Sequence, residues 1–147
     1  MKFEKCLEFY DRREKVVLRD KKNPQKFIGE NNSKKNICAY RVDGCIFIDG
    51  NKCDYLLEVF VKKQLEKAYF IELKGQDLKH AILQLQETIK RLNYCNGVEL
   101  HTRIILNKVK VPATRTSYEM KFEHFLKKCC KTSTYYRYKT AQKIERI

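Results

Sequence analysis

The sequence contains no apolar run approaching the roughly 20 residues that a membrane-spanning helix requires. Its lysine-rich N-terminus also lacks the apolar core of a secretory signal peptide. Internal repeats and low-complexity tracts are missing as well. We therefore expect a soluble protein with no membrane partner, located in the cytoplasm.

The chain has seven cysteines but no C-x-x-C pair. An odd number of cysteines without that spacing argues against both a disulfide framework and a zinc site. Several of them have apolar neighbours, among which a free thiol behaves as a small buried hydrophobe. Free thiols in a reducing cytoplasm are therefore predicted at Cys6, Cys38, Cys45, Cys53, Cys95, Cys129 and Cys130.

Basic residues far exceed acidic ones. Lys and Arg total 32, Asp and Glu total 18, and the formal net charge is +14. Such an excess favours polyanionic partners and raises the rate at which they are encountered, so nucleic acid is the leading candidate partner. The alternative is that many of the lysines only solvate the surface.

The length of 147 residues fits one domain with a real core, so we predict a single domain over residues 1–147. A weak helical stripe predicts a helix within residues 1–19. The following segment, 20–36, is rich in Lys and Asn and has little to bury, which is typical of a loop.

The next segments have the residue types of β-strands. Residues 39–48 and 53–61 are strand-like and flank Asp49-Gly50-Asn51, which has turn chemistry, so a β-hairpin is predicted. Residues 68–73 then form a third predicted strand.

The clearest helix follows Asp77, a plausible N-cap, because apolar residues recur at spacings of three and four as far as Leu92. Residues 98–106 alternate apolar and polar side chains as a half-buried strand does. Thr116 and Glu119 have the spacing of a capping box, which predicts a second helix behind them.

The order of elements predicts an α/β layer architecture with a mixed sheet covered by helices. Its core spans about residues 39–106, and a C-terminal helix and basic tail occupy 116–147. Residues 135–139 are predicted to be an edge strand. The tail interleaves basic and aromatic side chains, which suits nucleic-acid backbone contacts with base stacking and equally suits a plain solvated edge: Lys127, Lys128, Lys131, Tyr135, Tyr136, Arg137, Tyr138, Lys139 and Lys143.

Asp54 and the triplet Glu72-Leu73-Lys74 are the strongest candidates for a catalytic site. Alternation along a strand places Glu72 and Lys74 on one face. If a neighbouring strand brings Asp54 beside them, two carboxylates and one lysine converge, which is enough to hold a divalent cation and activate a water. The alternative is an ordinary Glu72–Lys74 ion pair on a half-solvated strand.

These segments resemble the PD-(D/E)XK nuclease superfamily over about residues 39–106. The similarity lies in an acid at the start of the second core strand, Asp54, an acid-x-Lys triplet on the third strand, and the helix that follows. One departure is Cys53, where the family pattern has proline. The resemblance implies a restriction-endonuclease-like fold, a three-layer core with a mixed central β-sheet flanked by helices.

The same resemblance implies a function. Asp54 and Glu72 would ligate Mg²⁺ or Mn²⁺, the Leu73 carbonyl could add a ligand, and Lys74 would orient or polarise the attacking water. The reaction would be phosphodiester hydrolysis, in DNA rather than RNA, and a homodimer could cut both strands of a duplex.

Helical spacing places Gln84 on a polar flank of the helix after Asp77, where it could border the site and position a phosphate. A simple solvated helix face is the alternative for Gln84. For the whole protein, the alternative function is a non-catalytic nucleic-acid-binding protein of the same fold.

Four further acids could assist the site, but none is a main candidate: Glu4, Glu8, Asp43 and Glu58. Glu58 shares a strand face with Asp54 but is roughly 13 Å away at standard strand rise, too far for both to ligate one ion. Asp43 precedes a predicted bend at Gly44, where a structural role is expected.

Overall fold

The computed structural model describes residues 3–74, 77–94, 98–106 and 114–147, apart from the side chain of Lys74. In these ranges the chain forms nine strands and two α-helices after a short 3-10 turn at Glu4–Cys6. The elements are β1 (Leu7–Asp11), β2 (Lys15–Arg19), β3 (Lys26–Glu30), β4 (Asn36–Arg41), β5 (Tyr55–Val61), β6 (Gln64–Lys74), α1 (Leu78–Leu92), β7 (Glu99–Leu106), α2 (Ser117–Cys129), β8 (Ser133–Lys139) and β9 (Gln142–Arg146).

The larger sheet has six strands in the order β1-β4-β5-β6-β7-β8. Pairing is antiparallel from β1 to β6 and parallel from β6 to β8. The parallel pairs follow from the two crossovers through α1 and α2, since parallel neighbours need a long connection between them. The protein is therefore an α/β protein with a mixed central sheet and two helices, as the sequence predicts.

The two helices lie on one face of this sheet. Leu56 and Phe70 on the strands belong to the same apolar cluster as Leu85 and Ile89 of α1 and Phe122 of α2, and all five are fully buried. Burying such side chains stabilises a fold by about 1.5–3 kcal/mol each.

The local signals for both helices are confirmed. Asp77 caps α1, its carboxylate accepting the His80 N–H at 3.1 Å, and the helix ends at Leu92, as predicted. Thr116 and Glu119 form a capping box at the start of α2. None of the helices in the described ranges is long and apolar enough to cross a membrane.

The hairpin expected at 39–48 and 53–61 is confirmed as β4 and β5, although β4 begins earlier and ends at Arg41. The predicted third strand is confirmed as β6. Strands β5 and β6 are joined at Lys62 and Lys63, which both adopt positive φ angles, of 49° and 66°. The prediction of an edge strand near the C-terminus is also confirmed, because β8 lies at one end of the six-stranded sheet.

A second sheet, in the order β2-β3-β9, covers the opposite face of the central sheet. Val16 and Phe27 of this second sheet pack in one cluster with Leu57 and Ile71 of the central sheet. The layers are therefore helices, six-stranded sheet and three-stranded sheet. The sequence predicts a three-layer core with a central sheet flanked by helices, but in the described residues the helices cover one face and a second sheet covers the other.

The prediction of a helix within residues 1–19 is also wrong. Residues 1–19 form no α-helix in their described part, and β2 alternates buried Val16 and Leu18 with exposed neighbours. Because nucleating a helix is costly, the short stripe within 1–19 is insufficient without tertiary contacts. The segment expected to be a loop, 20–36, contains β3, which pairs with β2 in an antiparallel hairpin.

Strand β7 is buried on both faces rather than half-solvated as expected. Arg103 is 4% exposed and pairs with Glu145 of β9, with Nε 2.8 Å from Oε1. His101 contacts Thr134 Oγ1 at 2.6 Å through Nδ1. The polar residues of the alternating pattern therefore face the second sheet and β8 instead of solvent.

Free thiols are found at Cys38, Cys53 and Cys130, but the prediction is wrong for Cys6 and Cys45, which form a disulfide. Cys129 is disulfide-bonded as well. Cysteine spacing alone does not predict the Cys6–Cys45 bond, because the two residues are 39 positions apart. Only the fold brings the N-terminal turn against the segment after β4. The expectation of a cytoplasmic location loses the support that it drew from free cysteines.

Removing the Cys6–Cys45 bond should lower the free energy of unfolding. The bond closes a loop of 39 residues, for which chain entropy gives a loss of about 2–4 kcal/mol. Urea unfolding of Cys45→Ser against the unsubstituted protein measures it. Cys6→Ser should show the same loss and the double variant no more, because all three lack one bond; an additive double variant would contradict the pairing.

Candidate active site

Asp54 immediately precedes β5 and is held between the segment after β4 and strand β6. Its carbonyl accepts the Val42 N–H at 2.9 Å, and its own N–H donates to the Ile71 carbonyl at 3.1 Å. The antiparallel pairing of β5 with β6 joins Tyr55 to Ile71, which brings Asp54, the residue before Tyr55, beside Glu72, the residue after Ile71. Two residues eighteen positions apart in the chain thus become cross-strand neighbours.

The side chains of this pair are in direct contact. The Asp54 Oδ2 atom accepts the Leu73 N–H at 2.7 Å, and a further hydrogen bond joins the carboxyl groups of Asp54 and Glu72. Glu72 is only 2% exposed, whereas Asp54 is partly accessible. Two acids are therefore packed together at a point that solvent reaches from one side.

Burial raises the pKa of Asp54 above its ordinary value of 3.8. The hydrogen bonds from Glu72 and from the Leu73 N–H act in the opposite direction, and the nearby carboxylates of Asp20 and Asp43 raise the pKa further. Two ionised carboxylates in contact repel each other, so either a proton or a cation would stabilise the pair.

These residues fit a hard divalent cation. Carboxylate and carbonyl oxygens are the ligands that Mg²⁺ and Mn²⁺ prefer. No group of three or more His, Cys, Asp or Glu side chains with metal-binding geometry occurs in the described ranges. The pair would therefore need oxygens from the backbone, water or substrate to complete the coordination.

The pair opens into a cleft of about 360 Å³. Of the residues predicted for the site, Asp54, Glu72, Leu73 and Gln84 all line it. The other lining residues come from the end of β2 and the β2–β3 loop, from the end of β4 and the segment after it, and from the start of β5: Arg19, Asp20, Lys21, Lys22, Asn23, Arg41, Asp43 and Tyr55.

Gln84 connects α1 to the segment that precedes Asp54. Its side-chain amide donates to the Lys52 carbonyl at 3.1 Å, and one turn later Thr88 Oγ1 accepts the Cys53 N–H at 2.9 Å. These two bonds fix the backbone immediately before Asp54 to the helix. Gln84 is thus placed to position the acid as well as to line the cleft.

Lys74 lies two residues after Glu72 at the end of β6 and pairs with Leu106 of β7. Its side chain lies outside the described residues, so the predicted position of the ammonium group beside Glu72 stays a prediction.

The four additional acids have different surroundings. Asp43 lines the cleft and pairs with Lys52 at 3.6 Å, while Glu8 pairs with Arg41 at 3.1 Å. Glu58 is buried away from the cleft lining and accepts hydrogen bonds from Tyr94 and the Cys38 thiol. Glu4 lies in the exposed N-terminal turn and is not a lining residue.

The basic and polar side chains from the β2–β3 loop were missed at the sequence level. A signal was available, because Asp20-Lys21-Lys22-Asn23-Pro24 is a run of turn residues between two short apolar strands. It identifies a hairpin, but nothing local shows that the hairpin lies beside Asp54.

Comparison of the chain with protein-family models, curated protein sequences and solved structures finds no match. The function must therefore be inferred from the residues of the cleft and their geometry.

Because the pKa of Asp54 is raised, this residue should make the folded protein less stable as the pH increases. The folded state keeps the proton to higher pH than the unfolded chain, so this group's contribution to stability falls as pH rises from 3.8 through the raised pKa. Asp54→Asn removes that loss and should unfold at a higher temperature than the unsubstituted protein at pH 7.

Thermal unfolding in EDTA at several pH values measures the effect. The advantage of Asp54→Asn should shrink towards and below pH 3.8, where the carboxyl is protonated in both states. A variant that is less stable than the unsubstituted protein at pH 7 would show that the acid is not held at a cost.

Proposed function

We propose that this protein is a metal-dependent nuclease of the PD-(D/E)XK type that hydrolyses phosphodiester bonds, in DNA rather than RNA. The observation that carries the proposal is the contact between Asp54 and Glu72 in a cleft whose lining also includes Arg19, Lys21 and Lys22. Paired acids at that place are costly to the fold, whereas a bound cation would compensate their charge.

The order of elements supports the same assignment. An antiparallel β5–β6 pair carries the acids, α1 follows, and β7 returns parallel to β6. This is the arrangement expected for a restriction-endonuclease-like core. The three-stranded sheet on the other face is a difference from that expectation.

Each residue has a distinct role in the proposed mechanism. Asp54 and Glu72 would hold Mg²⁺ or Mn²⁺, the Leu73 carbonyl would add an oxygen ligand, and Lys74 would orient the attacking water. When bound, the ion supplies Lewis-acid stabilisation of the phosphate and lowers the pKa of a coordinated water. Gln84 holds the backbone before Asp54 against α1 and so keeps the acid in place.

A non-catalytic nucleic-acid-binding protein of the same fold is the second candidate. The net charge of +14 favours it as much as it favours a nuclease. Binding to nucleic acid that is unchanged by EDTA, with no cleavage in Mg²⁺ or Mn²⁺, would select this function. A homodimer, inferred only from resemblance, stays a prediction.

Asp54→Asn, Glu72→Gln and Lys74→Ala should each lower cleavage by about 10²–10⁴-fold, the range typical for loss of a group that acts on the reacting water. The assay is cleavage of single- and double-stranded DNA and RNA in Mg²⁺ or Mn²⁺, with EDTA as the metal-free reference. Calorimetry should show Mn²⁺ binding to the unsubstituted protein and none to Asp54→Asn.

Glu66→Gln is a matched control for this series. It makes the same chemical change on the same strand as Glu72→Gln, but Glu66 pairs with Lys35 and does not line the cleft. Its activity should equal that of the unsubstituted protein. Activity retained by Lys74→Ala, or no cleavage of any substrate with either metal, would refute the catalytic assignment.

A further inference from the structure

Five consecutive residues at the end of β2 and in the β2–β3 loop line the cleft. We call residues 19–23 the hairpin tip; they are Arg19, Asp20, Lys21, Lys22 and Asn23. Arg19 ends β2 of the three-stranded sheet and the other four lie in the loop after it, whereas Glu72 lies in β6 of the central sheet and Asp54 immediately precedes β5. The cleft therefore lies where the two sheets meet, and the tip adds three cations and Asp20 to the acids of the central-sheet side.

The hairpin tip is fastened beside the acid pair. The hydroxyl of Tyr55, the residue after Asp54, donates to the Arg19 carbonyl at 2.7 Å. Further along, the Asp20 carboxylate accepts the Lys22 N–H at 2.9 Å and the Asn23 side-chain amide at 2.8 Å. These bonds set the backbone path of the tip, so that Lys21 and Lys22 project from a defined turn.

The charges of the tip are available to a ligand. Arg19, Lys21 and Lys22 are exposed, and none of them forms an ion pair with any residue in the described ranges. The neighbouring Arg41 differs, because Glu8 holds its guanidinium. Asp20, the acid within the tip, is occupied by hydrogen bonds from the tip itself.

The candidate ligands lie deeper than the cations of the tip. Glu72 is buried and Asp54 half-buried, while Arg19, Lys21 and Lys22 are exposed; the exposed acid of the lining, Asp43, is paired with Lys52. A polyanion that approached the acids without these cations would be repelled. The exposed cations attract the backbone phosphates and leave the acids to hold a metal ion.

We propose that the hairpin tip is a phosphate clamp, in which Arg19, Lys21 and Lys22 bind the backbone phosphates that flank the phosphodiester at Asp54 and Glu72. The proposal deepens the proposed function and rests on it for the identity of the ligand, a polynucleotide backbone. The three residues are substrate-positioning residues, since they act on the backbone beside the reacting group.

Fluorescence anisotropy of a short labelled DNA duplex, of its single strands and of the matching RNA tests the clamp. The full chain is used in EDTA, so that binding is measured without cleavage. Lys21→Gln with Lys22→Gln should weaken binding about tenfold or more near 0.1 M salt. For the duplex, the slope of log affinity against log salt concentration should become shallower by about 1.8, because each phosphate contact contributes about 0.9.

The matched control replaces Lys62 and Lys63 by glutamine. This pair is also adjacent, exposed and in a hairpin turn, but it joins β5 to β6 and does not line the cleft. Both double variants remove two positive charges from the same protein. The control should keep the salt slope of the unsubstituted protein, and equal losses in the two variants would overturn the clamp in favour of a general effect of charge.

A kinetic measurement separates positioning from folding. In Mg²⁺ the variant with Lys21→Gln and Lys22→Gln should have a higher KM than the unsubstituted protein and a similar kcat. The reason is that the lost contacts stabilise the bound substrate and the transition state equally. Unchanged binding and unchanged KM in this variant would overturn the clamp. If the unsubstituted protein cleaves nothing, the nuclease proposal fails, while the binding comparison in EDTA still decides whether the tip binds phosphate.

Discussion

The contact between Asp54 and Glu72 is the interaction on which the rest of the site depends. Backbone hydrogen bonds hold Asp54 between the segment after β4 and strand β6, and the Leu73 N–H fixes its carboxylate against the neighbouring acid. Two acids placed together in a partly buried position destabilise a fold unless a proton or a cation compensates them. The surrounding bonds from Gln84 and Thr88 hold the preceding backbone to α1 and so maintain this arrangement.

The three-stranded sheet has two consequences for this site. It buries the face of the central sheet opposite the helices, which is why Arg103 of the central sheet is paired with Glu145 instead of being solvated. It also carries the β2–β3 loop to the mouth of the cleft. The same element thus completes the core and places the exposed cations Arg19, Lys21 and Lys22 in the lining of the cleft.

Local signals predicted those parts of the protein whose structure depends on neighbouring residues. Helix α1 follows from its apolar spacing and the Asp77 cap, and the start of α2 follows from the Thr116–Glu119 capping box. The second sheet could not be predicted in the same way. Strand β9 pairs in parallel with β3 across more than a hundred residues, and a strand of five residues carries little signal until its partner is known. The Cys6–Cys45 bond was missed for a similar reason.

The sequence by itself determined the chemical groups of the candidate site and their order along the strands: an acid, then an acid-x-Lys triplet, then an amphipathic helix. Strand alternation and helix periodicity are properties of the backbone, so these features could be inferred without a fold. Only the tertiary structure decided that Asp54 contacts Glu72, that Gln84 bonds to the Lys52 carbonyl, and that the hairpin tip lines the same cleft. Those relations depend on strand register and on the packing of two sheets, which join residues that are distant in the chain.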